Sequence, residues 1–165
     1  MIAQKMKVWM AALGLLLLTT ATAAAQEVEV IKFKDLLELR KQPSDTLYVV
    51  NFWATWCKPC IKELPYFEAA NQKYKDQPVK VVLVSLDAVE DLDKRVNTFV
   101  QRRGLKSEVL LLDEVDGNTW IDKLEPKWSG AIPATMVFNN KQGTYEFREA
   151  EMTQEELNAL IEKYR

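Results

Sequence analysis

Histidine is absent from all 165 residues and cysteine occurs only twice, so the chain is short of the donors from which most metal sites are built. A structural zinc centre takes about four nitrogen or sulfur ligands, which two cysteines without histidine do not supply. The two stand at positions 57 and 60. A disulfide across so few residues closes too small a loop to restrain the unfolded chain usefully, which excludes a stabilising staple. With 48% apolar residues the chain has material for a core and needs no such staple.

An excess of one charge is also missing. There are 22 Lys and Arg against 24 Asp and Glu, interspersed along the chain, the pattern of an ordinary solvated surface and not of a nucleic-acid binder. Repeats and low-complexity tracts are lacking beyond the N-terminal segment. The longest apolar run, Val8 to Leu18, falls short of the roughly 20 residues of a membrane-spanning helix. It follows Lys5 and Lys7 and precedes small residues through Ala25, the three-part layout of a secretory signal peptide. The expectation is a signal peptide over 1–25, cleaved after Ala25 or else after Ala23, and a single soluble domain over 26–165. An uncleaved N-terminal anchor is the alternative. Lipid attachment through an N-terminal cysteine is excluded because the segment has no cysteine. The mature chain would carry 20 basic and 24 acidic residues, a net charge of −4.

Along that domain, apolar patterning predicts a short strand over 28–31, a helix around Leu36, Leu37 and Leu39, and a strand over 47–53 apolar on both faces, as a central strand should be. A helix from Ile61 to Tyr74 contains Pro65, which should kink it. A second buried strand, 79–86, precedes an amphipathic helix through Leu92, Val96, Phe99 and Val100 that ends at Gly104. Strand and helix alternating in this way imply parallel pairing. A third apolar run at 109–112, a short helix over 118–124, a hairpin of 135–139 with 145–148, and a last helix complete the domain. That helix opens on a Thr153/Glu156 capping box, with Met152 stapled to Leu157, and should pack over the hairpin.

The segment Trp56-Cys57-Lys58-Pro59-Cys60 lies between the strongest strand and a helix. A thiol becomes a good nucleophile only on ionising, which the unpaired N–H groups and dipole of a helix N-terminus favour. Cys57 occupies that place, Cys60 is one turn deeper as the resolving thiol, Pro59 suits a first helical turn, and Lys58 adds positive charge. Reversible disulfide exchange is the chemistry this spacing points to. Three other readings stand beside it. Two thiolates can carry Cu(I) for an exported metalloenzyme; the pair can be inert; and a fold-related peroxidase would want an arginine near the cysteine, whereas none occurs between Arg40 and Arg95.

The run from Val50 to Cys60, followed by Glu63-Leu64-Pro65 and later by Gly130-Ala131-Ile132-Pro133-Ala134-Thr135, resembles the exported TlpA/ResA-like branch of the thioredoxin superfamily. The resemblance implies an α/β thioredoxin fold, a central mixed β-sheet flanked by helices, with extra helical material inserted between residues 87 and 125. It implies a cis Ile132-Pro133 bond facing the cysteines, with Ile132 offering backbone hydrogen bonds to a bound peptide and Pro133 blocking metal-binding geometry. The residues alone would favour an ordinary trans proline. It implies further that Trp56 packs on a bound peptide; Trp53 is expected in the core, and Trp128, near the proline loop, is a candidate to line the same groove. Asn51 replaces the buried aspartate of cytoplasmic thioredoxins, so proton handling would pass to Glu63. The other reading of Glu63 is a surface residue stabilised by the helix dipole.

The activity so implied is that of a monomeric thiol-disulfide oxidoreductase, free in the periplasm, acting on protein thiols or disulfides with no cofactor beyond the cysteine couple. The resemblance favours a reductant, serving cytochrome c maturation or general thiol reduction and recharged by a membrane electron donor.

Overall fold

The computed structural model describes residues 27–165, so the signal-peptide expectation falls outside the described residues. Six strands form one mixed sheet in the order β1-β4-β3-β2-β5-β6. They are β1 (Glu29–Ile31), β2 (Leu47–Trp53), β3 (Val79–Ser85), β4 (Glu108–Leu112), β5 (Ala134–Asn139) and β6 (Thr144–Arg148). The first four pair in parallel and β5 and β6 run antiparallel to their neighbours. β2 is central and wholly buried. Its alternate side chains supply two cores: Val49 and Trp53 face one, Val50 and Phe52 the other. A strand buried on both faces reads as an unbroken apolar run, and Asn51 is its one polar interruption.

The helices are α1 (Phe33–Lys41), α2 (Lys58–Lys73), α3 (Thr98–Arg103), α4 (Ile121–Leu124) and α5 (Gln154–Tyr164). α2 and α5 cover the core that contains Trp53, with Cys60, Leu64, Phe67, Leu157 and Ile161 buried among its side chains. α5 opens on the Thr153/Glu156 capping box and buries Met152 beside Leu157. It lies over the hairpin as expected, packing on β5 and reaching β6 through Tyr164, which donates to Glu146 Oε2 at 2.6 Å, and it also packs on α2 and across β2.

Three helical segments depart from regular α geometry, the first a 3₁₀ turn over Val89–Asp91. Residues Leu92–Asn97 form π turns that run into α3, and the wider turn leaves Val96 and Val100 buried while Leu92 and Phe99 are half-buried. Gly104 ends the helix at φ 63°, a left-handed value that glycine adopts without strain. The single helix expected over 118–124 divides at Trp120 into a 3₁₀ turn, Gly117–Thr119, and α4. Asp116 caps the first piece by accepting from Asn118 N at 3.0 Å.

Candidate functional site: a disulfide at a helix N-terminus

Cys57 and Cys60 are joined, with an S–S length of 2.01 Å. Strand β2 ends at Trp53, and after three intervening residues the chain enters α2 with Cys57 as its N-cap. The Cys60 N–H donates to Cys57 Sγ at 3.3 Å. That donor is one of the four N–H groups a helix start leaves unpaired, so on reduction it is placed to stabilise a Cys57 thiolate. Pro59 sits in the first turn, exposed like Lys58. Cys60 is fully buried and Cys57 retains 5% exposure, so attack from outside meets Cys57 first.

The Ile132-Pro133 peptide is cis, and Ile132 O stands 3.8 Å from Cys57 Sγ. Pro133 is buried beneath it and Ile132 is partly exposed. Trp128 does not line a peptide groove. It is buried at 3% exposure against Phe52, Trp120 and Phe147, and its indole N–H donates to Ala131 O at 2.8 Å. It therefore holds the proline loop from below. Trp53 is core, and Trp56 is 61% exposed beside the disulfide.

Glu63 is not a surface residue. One turn beyond Cys60 on α2, it is fully buried, accepting from Asn51 Nδ2 at 2.8 Å and from Met152 N at 2.9 Å. Burial outweighs those two hydrogen bonds and lifts its carboxyl to a pKa of about 7. Asn51 also donates to Thr135 Oγ1 at 3.2 Å, while its own Oδ1 is buried without a partner. The carboxyl is thus tied to β2 on one side and to the entrance of α5 on the other.

A second buried carboxylate had no counterpart in the sequence reading. Asp87, just past β3, accepts from Thr55 N at 2.8 Å, Thr55 Oγ1 at 2.6 Å and Ser85 Oγ at 2.8 Å. It fastens the turn that leads into Cys57 to the end of the neighbouring strand. The available signal was a Ser closing a buried parallel strand and an Asp two residues past it, where such sheets carry their sites.

A parallel-centred sheet with an antiparallel hairpin, a disulfide capping the helix after its central strand, and a cis-proline loop against that disulfide together define a thioredoxin fold. Residues 19–144 match the AhpC/TSA family, and the chain belongs to that family. Thiol-disulfide oxidoreductase ResA of Bacillus thuringiensis is 32% identical over 116 residues, covering 69% of this chain and 61% of that protein. The chain therefore spans under two thirds of the length of such relatives. StoA from Bacillus subtilis superposes with a TM-score of 0.57 at 27% identity, over 72% of this chain and 84% of its own. A thioredoxin-related protein from Neisseria meningitidis serogroup B superposes at 0.63 with 22% identity, over 76% and 89%, a likeness of fold.

Proposed function

We propose that the protein is an exported thiol-disulfide oxidoreductase that exchanges two electrons with cysteines of other proteins, working as a reductant. The observation that carries this reading is the Cys57–Cys60 disulfide capping α2, with its more accessible sulfur beside the Ile132-Pro133 loop. The couple itself holds the electrons, so the reaction needs no further cofactor.

In the reducing direction the Cys57 thiolate, stabilised by the Cys60 N–H, attacks one sulfur of a partner disulfide. A mixed disulfide forms and the first partner thiolate leaves. Cys60 then gives up its proton, attacks Cys57 Sγ and releases the second partner thiol, and the protein is left oxidised. Cys60 is buried, so its proton needs an internal acceptor. Glu63, one turn away with a pKa near 7, exchanges a proton readily at neutral pH. Ile132, half-exposed at the loop, is placed to hydrogen-bond the partner backbone, while Trp56, Lys58 and Pro59 form the exposed surface around the sulfur.

Export is supported by the signal-like segment before residue 26, and the reducing direction by the likeness to ResA. A reductant in the periplasm must be recharged, which a membrane-bound dithiol donor would do. Cys60→Ala should trap partner proteins on Cys57 as adducts released by dithiothreitol, and Cys57→Ala should trap none. If neither variant yields a reducible adduct, the exchange reading fails. Equilibration with glutathione reads the direction: a potential near −270 mV, roughly thioredoxin's, means a reductant, and one near roughly −120 mV an oxidant.

A further inference from the structure

At the C-terminal ends of β3 and β4 lies a cleft of about 390 Å³. Its apolar lining includes Leu86, Leu112, Trp120 and Ile121, and its rim carries the exposed Glu90 and the half-buried Asp113 and Glu114, with no lysine or arginine among the lining residues. Two contacts tie its lining to the loops that carry the redox site. Asp87 is hydrogen-bonded to Thr55, two residues before Cys57. Ile121 Cδ1 lies 3.1 Å from where a side-chain carbon on Gly130 would stand, at the start of the loop carrying Ile132 and Pro133. Val115 on the rim is fully exposed, and so mostly is Trp56 beside the sulfur. Trp120 lines the cleft with its ring, and its indole N–H is buried without a hydrogen-bond partner among the described residues.

We propose that this cleft docks the polypeptide flanking the reacting cysteine of the partner, and that the segment it selects carries an aliphatic or aromatic side chain next to lysine or arginine. The proposal rests on the exchange reading above and names its substrate class. The apolar lining takes the apolar side chain. The acidic rim favours basic flanks and repels acidic ones, the usual way charge confers specificity on an encounter. Of the rim acids, Asp113 is paired with Lys32 and Glu114 accepts from Phe33 N, so Glu90, exposed on its short 3₁₀ turn, is the acid most open to an incoming cation.

The test uses the full chain, reduced beforehand, and two ten-residue peptides. Each bears one cysteine disulfide-linked to 2-nitro-5-thiobenzoate, with a neighbouring leucine, and is flanked by lysines or by glutamates. Attack of Cys57 on the peptide sulfur expels the coloured thiolate, and Cys60 then releases the peptide thiol as the protein disulfide forms. The lysine-flanked peptide should react at least fivefold faster at low salt. Glu90→Lys should abolish or invert that preference. Glu155→Lys, the same charge change on α5 over the other face of the sheet, should leave the preference in place. Equal rates for the two peptides, or equal loss of preference in both variants, would overturn the docking proposal alone. Failure of every peptide to release the thiolate would overturn the exchange reading, and the docking proposal with it.

Discussion

Glu63 combines a site for protons with a cost in stability. Its carboxyl has a folded pKa of about 7, against an ordinary value of 4.5. Between those values the native protein keeps a proton that the unfolded chain releases, so stability falls as pH rises through the window and then levels off. A shift of that size corresponds to about 3 kcal/mol. Urea unfolding of the oxidised protein should therefore show a decline from pH 4.5 to 7 from this group, and Glu63→Gln should flatten it. A profile unchanged by the substitution would mean that the carboxyl titrates normally. Kinetically, Glu63→Gln should slow resolution of the mixed disulfide more than its formation, since only the second step deprotonates Cys60. Asp87 acts differently, by holding Thr55. Asp87→Ala strips the acceptor from the Thr55 N–H and two hydroxyls and should cost about 2–4 kcal/mol, measurable by the same unfolding.

At the scale of elements, the site is assembled from separate pieces of chain, and this limits what the sequence discloses. The strand over 47–53, the helix that Cys57 caps, the hairpin and the capping box of α5 are all legible because each is encoded locally, by an apolar run, a helix-start pattern or a turn. The environment of Glu63 is not local. Its two ligands come from Asn51, twelve residues earlier, and from the backbone of Met152, 89 residues later, and no periodicity in α2 distinguishes a buried glutamate from a solvated one. Met152 reads from sequence as a hydrophobic staple, which it is, but the N–H it donates is invisible there. Trp128 shows the same limit: its nearness to the proline loop is legible, while the aromatic cluster that turns it inward is not. The join between α5 and Glu63 gives a prediction at this scale. Thr153→Ala removes the cap next to Met152 and should cost about 1 kcal/mol. With Met152 N less firmly held, the carboxyl loses part of the donor that lowers its pKa, so the decline of stability with pH should extend above 7.

For the molecule as a whole, the sheet puts its chemistry at one end. The turn after β2, the end of β3 and the loop before β5 meet around a single sulfur pair, the cleft beyond β4 opens at the same end of the sheet, and the opposite end carries none of the residues assigned a role. All the cysteine in the chain is in that pair. The sheet margins are short or charged: β1 has three residues, and β6 presents Glu146 bound to Arg148 and Lys163, features that discourage edge pairing with another chain. On the proposed exchange reading, having one couple has a kinetic consequence. With no second thiol to pass electrons inward, the protein that charges the couple and the protein that discharges it must take turns on the same surface, so neither can be bound while the other reacts. Initial rates at several fixed concentrations of one partner should give parallel double-reciprocal lines, each partner in excess should inhibit the other, and a partner that outstays its own exchange would stop the cycle in both directions.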